Sequence, residues 1–130
     1  MVTHLLVDGM NVIGSRPDGW WRDRDGAVLR LFDRLVRLAA TGDDVTVVLD
    51  GRPLEQLPDG MHRGVRVAYA RRHGRDAADD RIIELLRELP DPAGVHVVTS
   101  DRTLARRARD LGATVGGAGE LLRRLDTADE

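Results

Sequence analysis

Four aspartates stand where apolar runs end or where a helix begins. Leu5-Leu6-Val7 runs into Asp8-Gly9, and Val47-Val48-Leu49 runs into Asp50-Gly51. Val97-Val98 is followed by Thr99-Ser100-Asp101, and Ala77-Ala78-Asp79-Asp80 opens an apolar-periodic stretch. Carboxylates delivered to one place repel: two of them about 4 Å apart oppose each other by about 4 kcal/mol at an effective dielectric near 20. Such a group must share protons at raised pKa or hold a cation. Oxygen-only ligands select a hard ion, Mg2+ or Mn2+, and the matching chemistry is metal-assisted hydrolysis of a phosphodiester. Asn11, beyond the first Asp-Gly turn, adds a short amide able to orient a water or a phosphate.

Taken singly, each aspartate has a structural explanation, since Asp-Gly is a common turn and Asp near a helix start is a common cap. Asp76 fits the cap position of the helix that follows, with Asp79 and Asp80 in its first turn, where the helix dipole favours a carboxylate. Ser100 or Asp101 would cap the next helix in the same way. Three strand ends and one helix start all supplying Asp are harder to ascribe to unrelated caps and turns.

The elements that would position these groups alternate. Strands are expected over residues 3–8, 45–49, 65–69, 95–98 and 113–115. A helix from Asp23 or Asp25 to about Ala40 carries Val28, Leu31, Phe32, Leu35, Val36 and Ala39 at helical spacing and stops at Gly42. A second helix bears Ile82, Ile83, Leu85, Leu86 and Leu89, a third Leu104, Ala105, Ala108 and Leu111, and a short last one Leu121, Leu122 and Leu125. Residues 54–64 read as loop. Trp20-Trp21, beside Arg22 and Arg24, could stack bases, although at least one Trp is needed to cap a core with a single Phe and a single Tyr. The alternation indicates a three-layer α/β domain with a mainly parallel central sheet flanked by helices. Right-handed crossovers place the carboxyl ends of all its strands, and so the aspartates, on one edge.

Composition narrows the field. With no cysteine there is no disulfide frame and no thiolate metal site, and the four histidines lack zinc-finger spacing. The net charge of -2 is no electrostatic glove for nucleic acid, and every basic residue is arginine. No leader or membrane-length apolar run is seen, which leads us to expect a cytoplasmic protein with one domain over residues 1–125 and a short tail at 126–130.

The segments Leu6-Val7-Asp8-Gly9-Met10-Asn11-Val12-Ile13, Val47 to Gly51, Val65 to Tyr69, Ala77 to Ile82 and Val97 to Arg102, in this order, resemble the YacP-like branch of the NYN domains, within the PIN-like nuclease superfamily. The resemblance implies a PIN-like α/β sandwich and a metal-dependent ribonuclease. Asp8, Asp79 and Asp101 match the acidic ligands, Asn11 the accompanying amide, and Asp50 a further acidic position; Thr99 and Ser100 fall where hydroxyls support the site. Met10 stands where the family often has an aromatic residue, and Asp76 or Asp80 could take the place of Asp79. Arg71, Arg72 and Arg75 are the first candidates for contact with RNA, Arg52 and Arg102 the second. Two rivals remain: a catalytically silent RNA-binding or adaptor module of the same fold, and a phosphoryl-accepting receiver-like domain. The absence of lysine argues against the latter, which needs one after its last strand.

Overall fold

Short stretches rich in valine and leucine make strands that can be buried on both faces, and this sequence has four of them. In the computed structural model, which describes residues 4–74 and 76–129, they become β1 (His4–Asp8), β2 (Asp44–Leu49), β4 (Val65–Tyr69) and β5 (Val95–Val98). Two shorter strands, β3 (Gly60–His62) and β6 (Thr114–Gly116), complete a sheet in the order β3-β4-β2-β1-β5-β6. All neighbours run parallel except β3 with β4. The helices are α1 (Gly9–Gly14), α2 (Arg24–Ala39), α3 (Ala77–Glu88), α4 (Arg102–Asp110) and α5 (Ala118–Ala128).

Because side chains alternate along a strand, the sheet has two cores. Leu5, Val7, Val45, Val47, Val65 and Val67 face α1, α2 and α5, where Val12, Leu31, Leu35, Leu121 and Leu125 meet them. Leu6, Val48, Ala68, Val95 and Val97 face α3 and α4 and pack on Ile82, Leu86, Leu104 and Ala108. This is the expected three-layer arrangement. The register aligns the strand exits: Asp8 lies beside Val48, and Val7 beside both Val47 and Val98.

Four local features differ from the sequence reading. Asp8-Gly9 leads directly into α1, a helix of six residues, too short for an apolar period to announce it. Its first residue must be glycine on steric grounds. A Cβ on Gly9 would stand 2.7 Å from Leu49 Cδ2 and 3.0 Å from the carbonyl oxygen of Val48. The 54–64 segment is more ordered than a loop: it carries β3, and the hydroxyl of Tyr69 donates to Leu57 O at 2.7 Å while accepting from Leu54 N at 3.1 Å. The last strand is shifted by one residue.

Of the expected tail, residues 126–128 form the last turn of α5 and Asp129 its cap, while Glu130 lies outside the described residues, and the aspartates are used. Arg34 pairs with Asp126 at 2.5 Å and Asp129 at 2.8 Å, while Arg37 reaches Asp129 at 2.6 Å. These contacts stitch α5 to α2. The α2 boundaries follow the sequence: Asp23 accepts from Gly26 N at 3.1 Å, and Gly42 takes the positive φ of 114° that ends the helix. Trp20 is the tryptophan that packs against the core; Trp21 is 58% exposed, with the Arg22 guanidinium 5.9 Å from its ring centre. Among the described residues no helix is long and apolar enough to cross a membrane.

Candidate active site at the carboxyl edge of the sheet

From β1 the chain winds outward to β2 and β4, and from β4 it crosses back through α3 to β5 on the other side of β1. The connections leaving the carboxyl ends of β1 and β5 therefore go to opposite faces of the sheet, leaving between them the crevice where open α/β sheets take their ligands. Asp8 is the last residue of β1, and Thr99-Ser100-Asp101 leads from β5 into α4.

Two hydrogen bonds cross this crevice. Thr99 Oγ1 donates to Asp8 Oδ2 at 2.9 Å, and the Ser100 N–H donates to Asn11 Oδ1 at 2.8 Å. Thr99 Oγ1 also accepts from the Asp101 N–H at 3.1 Å, so one buried hydroxyl orients the acid of β1 and the backbone entering α4. Asp101 caps α4 through Leu104 N at 2.9 Å. Ser100 Oγ accepts from Ala118 N at 3.2 Å, which ties the same turn to α5.

Asp8 is only 5% exposed. Burial drives its carboxyl up to about 6, opposed by hydrogen bonds from the Thr99 hydroxyl and the Asn11 backbone and reinforced by the charges of Asp101 and Asp50. Asp79, in the first turn of α3, is 9% exposed and is also pushed up to about 6. Burial is again the first cause, followed by the charges of Asp101, Asp8 and Asp76, with Arg107 acting in the opposite sense. Three aspartates distant in sequence thus share one electrostatic neighbourhood. Among the described residues, however, no three acidic or histidine side chains are arranged as a ready-made cage for an ion.

The other acids are placed differently. Asp80 is claimed by Arg72 and by Arg107 at 3.1 Å, and its carboxyl is held below the usual range. Asp76 occupies the cap position of α3 at φ 64° without making the side-chain cap bond. Asp50 is paired with Arg24 Nη2 at 2.8 Å, and the same nitrogen donates to Asp50 O at 2.7 Å. Its charge nonetheless reaches Asp8.

Of the arginines expected at the substrate, Arg71 is paired with Glu84 at 2.5 Å and Arg72 with Asp80, while Arg75 lies outside the described residues. The sequence reading did not single out Arg106, Arg107 or Arg109, all of which stand close to the acidic residues or beside the Thr99-Ser100-Asp101 turn. For α4 a signal existed, since Arg102, Arg106 and Arg109 repeat at helical spacing opposite Leu104 and Ala108.

Comparison with known proteins agrees with this architecture. The YacP-like NYN domain profile matches residues 5–130. The uncharacterized protein YacP of Bacillus subtilis (strain 168) is 32% identical over a 135-residue alignment covering 96% of this chain and 76% of that protein. The crystal structure of Rae1 (YacP) from Bacillus subtilis, as the W164L mutant, superposes with a TM-score of 0.80 at 32% identity, over 98% of this chain and 77% of that one. A second crystal structure of Rae1 (YacP) from Bacillus subtilis gives 0.75 at 31% identity, over 99% and 76%.

Proposed function

The chain belongs to the YacP-like NYN domain family, with the PIN-like nuclease fold, and on that premise we propose that it is an endoribonuclease using Mg2+ or Mn2+ to hydrolyse RNA phosphodiester bonds in RNA processing or decay. The observation that carries this reading is the buried Asp8 at the topological crevice, within the field of Asp79 and Asp101 and, among the described residues, with no arginine partner. Structural acids acquire counter-charges, as Asp80 has. Acids left to raise one another's pKa leave room for a cation.

The donor set fits a hard ion that keeps much of its water. Magnesium is commonly bound through one or two carboxylates plus substrate phosphate, with waters completing the octahedron, so a cage of three acids is not required beforehand. In this reading Asp8 and Asp79 hold the ion, Asp101 joins them directly or through water, and Asp50 adds negative field from its pair with Arg24. The bound ion would supply an activated water and neutralise charge on the leaving oxygen. The Thr99 hydroxyl keeps Asp8 in one orientation. Asn11 holds the Ser100 turn, leaving its own amide NH2 and the Ser100 hydroxyl to position water or phosphate. Arg72 and Arg107 around Asp80 leave one net positive charge beside the site.

A catalytically silent RNA-binding module of the same fold is the competing reading, and the lack of a ready-made three-acid cage among the described residues favours it. The two separate on incubation of the purified protein with RNA and Mn2+ beside Asp8→Asn and Asp79→Asn. Cleavage by the wild type alone, with both variants folded, supports the nuclease. Equal cleavage by all three indicates a contaminating enzyme, and no cleavage by any leaves the silent module.

A further inference from the structure

The guanidiniums around the acidic crevice fall into two sets. On the α3 side Arg71, Arg72 and Arg107 are bound to Glu84 or Asp80. On the outer side of α4, Arg102, Arg106 and Arg109 are exposed, and none has a hydrogen-bond or ion-pair partner among the described residues. These three line a single cleft of about 550 Å³ that starts at Thr99, Ser100 and Asp101 and has Gly116 and Gly117 in its wall. Asp101 and Asp110, at the two ends of α4, border the same cleft, so its three arginines leave an excess of one positive charge.

The spacing suits a polyanion. From Arg102 to Arg109 the helix rises about 10 Å, which corresponds to the axial advance of about three nucleotides in a stacked, helical strand at about 3.4 Å each. A small anion would need one of these arginines, whereas a row of three guanidiniums with no ion-pair partner among the described residues, beside the reacting edge, suits a chain of phosphates. Arginine serves this task better than a compact ammonium where phosphate oxygens are gripped in pairs, and it has no carboxylate to leave first.

We propose that the Arg102–Arg106–Arg109 face of α4 is the track on which the RNA backbone lies as it leaves the aspartate crevice. This rests on the ribonuclease reading for its substrate, but its test needs no cleavage. Binding of a fluorescently labelled single-stranded RNA is measured by anisotropy in EDTA over a series of salt concentrations. Each phosphate contact on a single strand contributes about 0.7 to the slope of log K against log salt, so Arg106→Gln/Arg109→Gln is expected to lower the slope by about 1.4. Arg106→Lys/Arg109→Lys, which keeps the charge, is expected to retain most of it. Both pairs are on the solvent side of α4, and a circular dichroism melt checks that each folds.

An unchanged slope in the glutamine pair, a lysine pair that behaves like the glutamine pair, or wild-type protein that binds no RNA overturns the track. Should wild type bind with the expected slope and yet not cut with Mn2+, the nuclease reading fails and the track stands.

Discussion

Asp79 and Asp80 are neighbours in the first turn of α3, and the fold treats them oppositely. Asp80 points to Arg72 and Arg107 and is held strongly ionised; Asp79 is buried toward Asp8 and Asp101 and is pushed up to about 6. The same division separates two whole regions. Along the seam between α2 and α5, Asp126 and Asp129 are matched by Arg34 and Arg37, whereas at the mouth between β1 and β5 Asp8 has, among the described residues, only a hydroxyl and a backbone N–H. A chain with 20 arginines could have neutralised that mouth, so its acidity reflects placement and not a shortage of cations.

The largest test of this contrast is catalytic. Asp79→Asn is expected to lower RNA cleavage by about 10²–10³-fold in a gel assay with Mn2+, the several kcal/mol attributed to metal-stabilised charge, while Asp80→Asn stays within a few-fold of wild type. Comparable losses in both would erase the distinction. Next in size, Gly9→Ala is expected to cost about 1–3 kcal/mol in chemical denaturation, because the new methyl meets Leu49 and the Val48 carbonyl and must push α1 off β2.

The third test concerns pH. Folding raises the Asp8 pKa from 3.8 to about 6, so the protonated acid is favoured in the folded state. That contribution is fully present below about pH 4 and is lost as pH rises through about 6. Asp8→Asn should therefore stabilise the metal-free protein by about 1–2 kcal/mol at pH 8 and add little at pH 4, as read by denaturation in chelator. Protons and metal compete for the same oxygens, so Mn2+ stabilisation of the wild type should fade below about pH 6. The smallest effect is expected at the seam. Asp129 is held below the usual carboxylate range by Arg37 and Arg34, a contribution present above the unfolded pKa and lost as pH falls through the lowered one. Asp129→Asn should lower Tm slightly at pH 7, and the difference should vanish in about 1 M salt, where screening acts within about 3 Å.

The layered fold was legible because valine-rich strands and amphipathic helices announce themselves by period, and the order of motifs carried the family. What escaped was local or distant in sequence. The three residues of β3 and the six of α1 offer too few side chains for a period to emerge. The acids of the last turn read as tail because their partners, Arg34 and Arg37, lie about ninety positions upstream. The same limit applies at the mouth: that Asp50 is held by Arg24, and that Asp80 faces arginine while Asp79 faces acid, depends on which way neighbouring side chains turn. Residue type places an aspartate near an edge. The packing of α3 and α4 decides which aspartate is buried there.

The Thr99–Asp8 and Asn11–Ser100 bonds join the two wings of the crossover fold at their hinge line, on the rim and not within either apolar core. Catalytic competence would then hang on a latch thinner than the walls it joins. On gentle heating the proposed cleavage activity should fall silent while the circular dichroism still looks native, and on cooling it should recover without the chain having to refold.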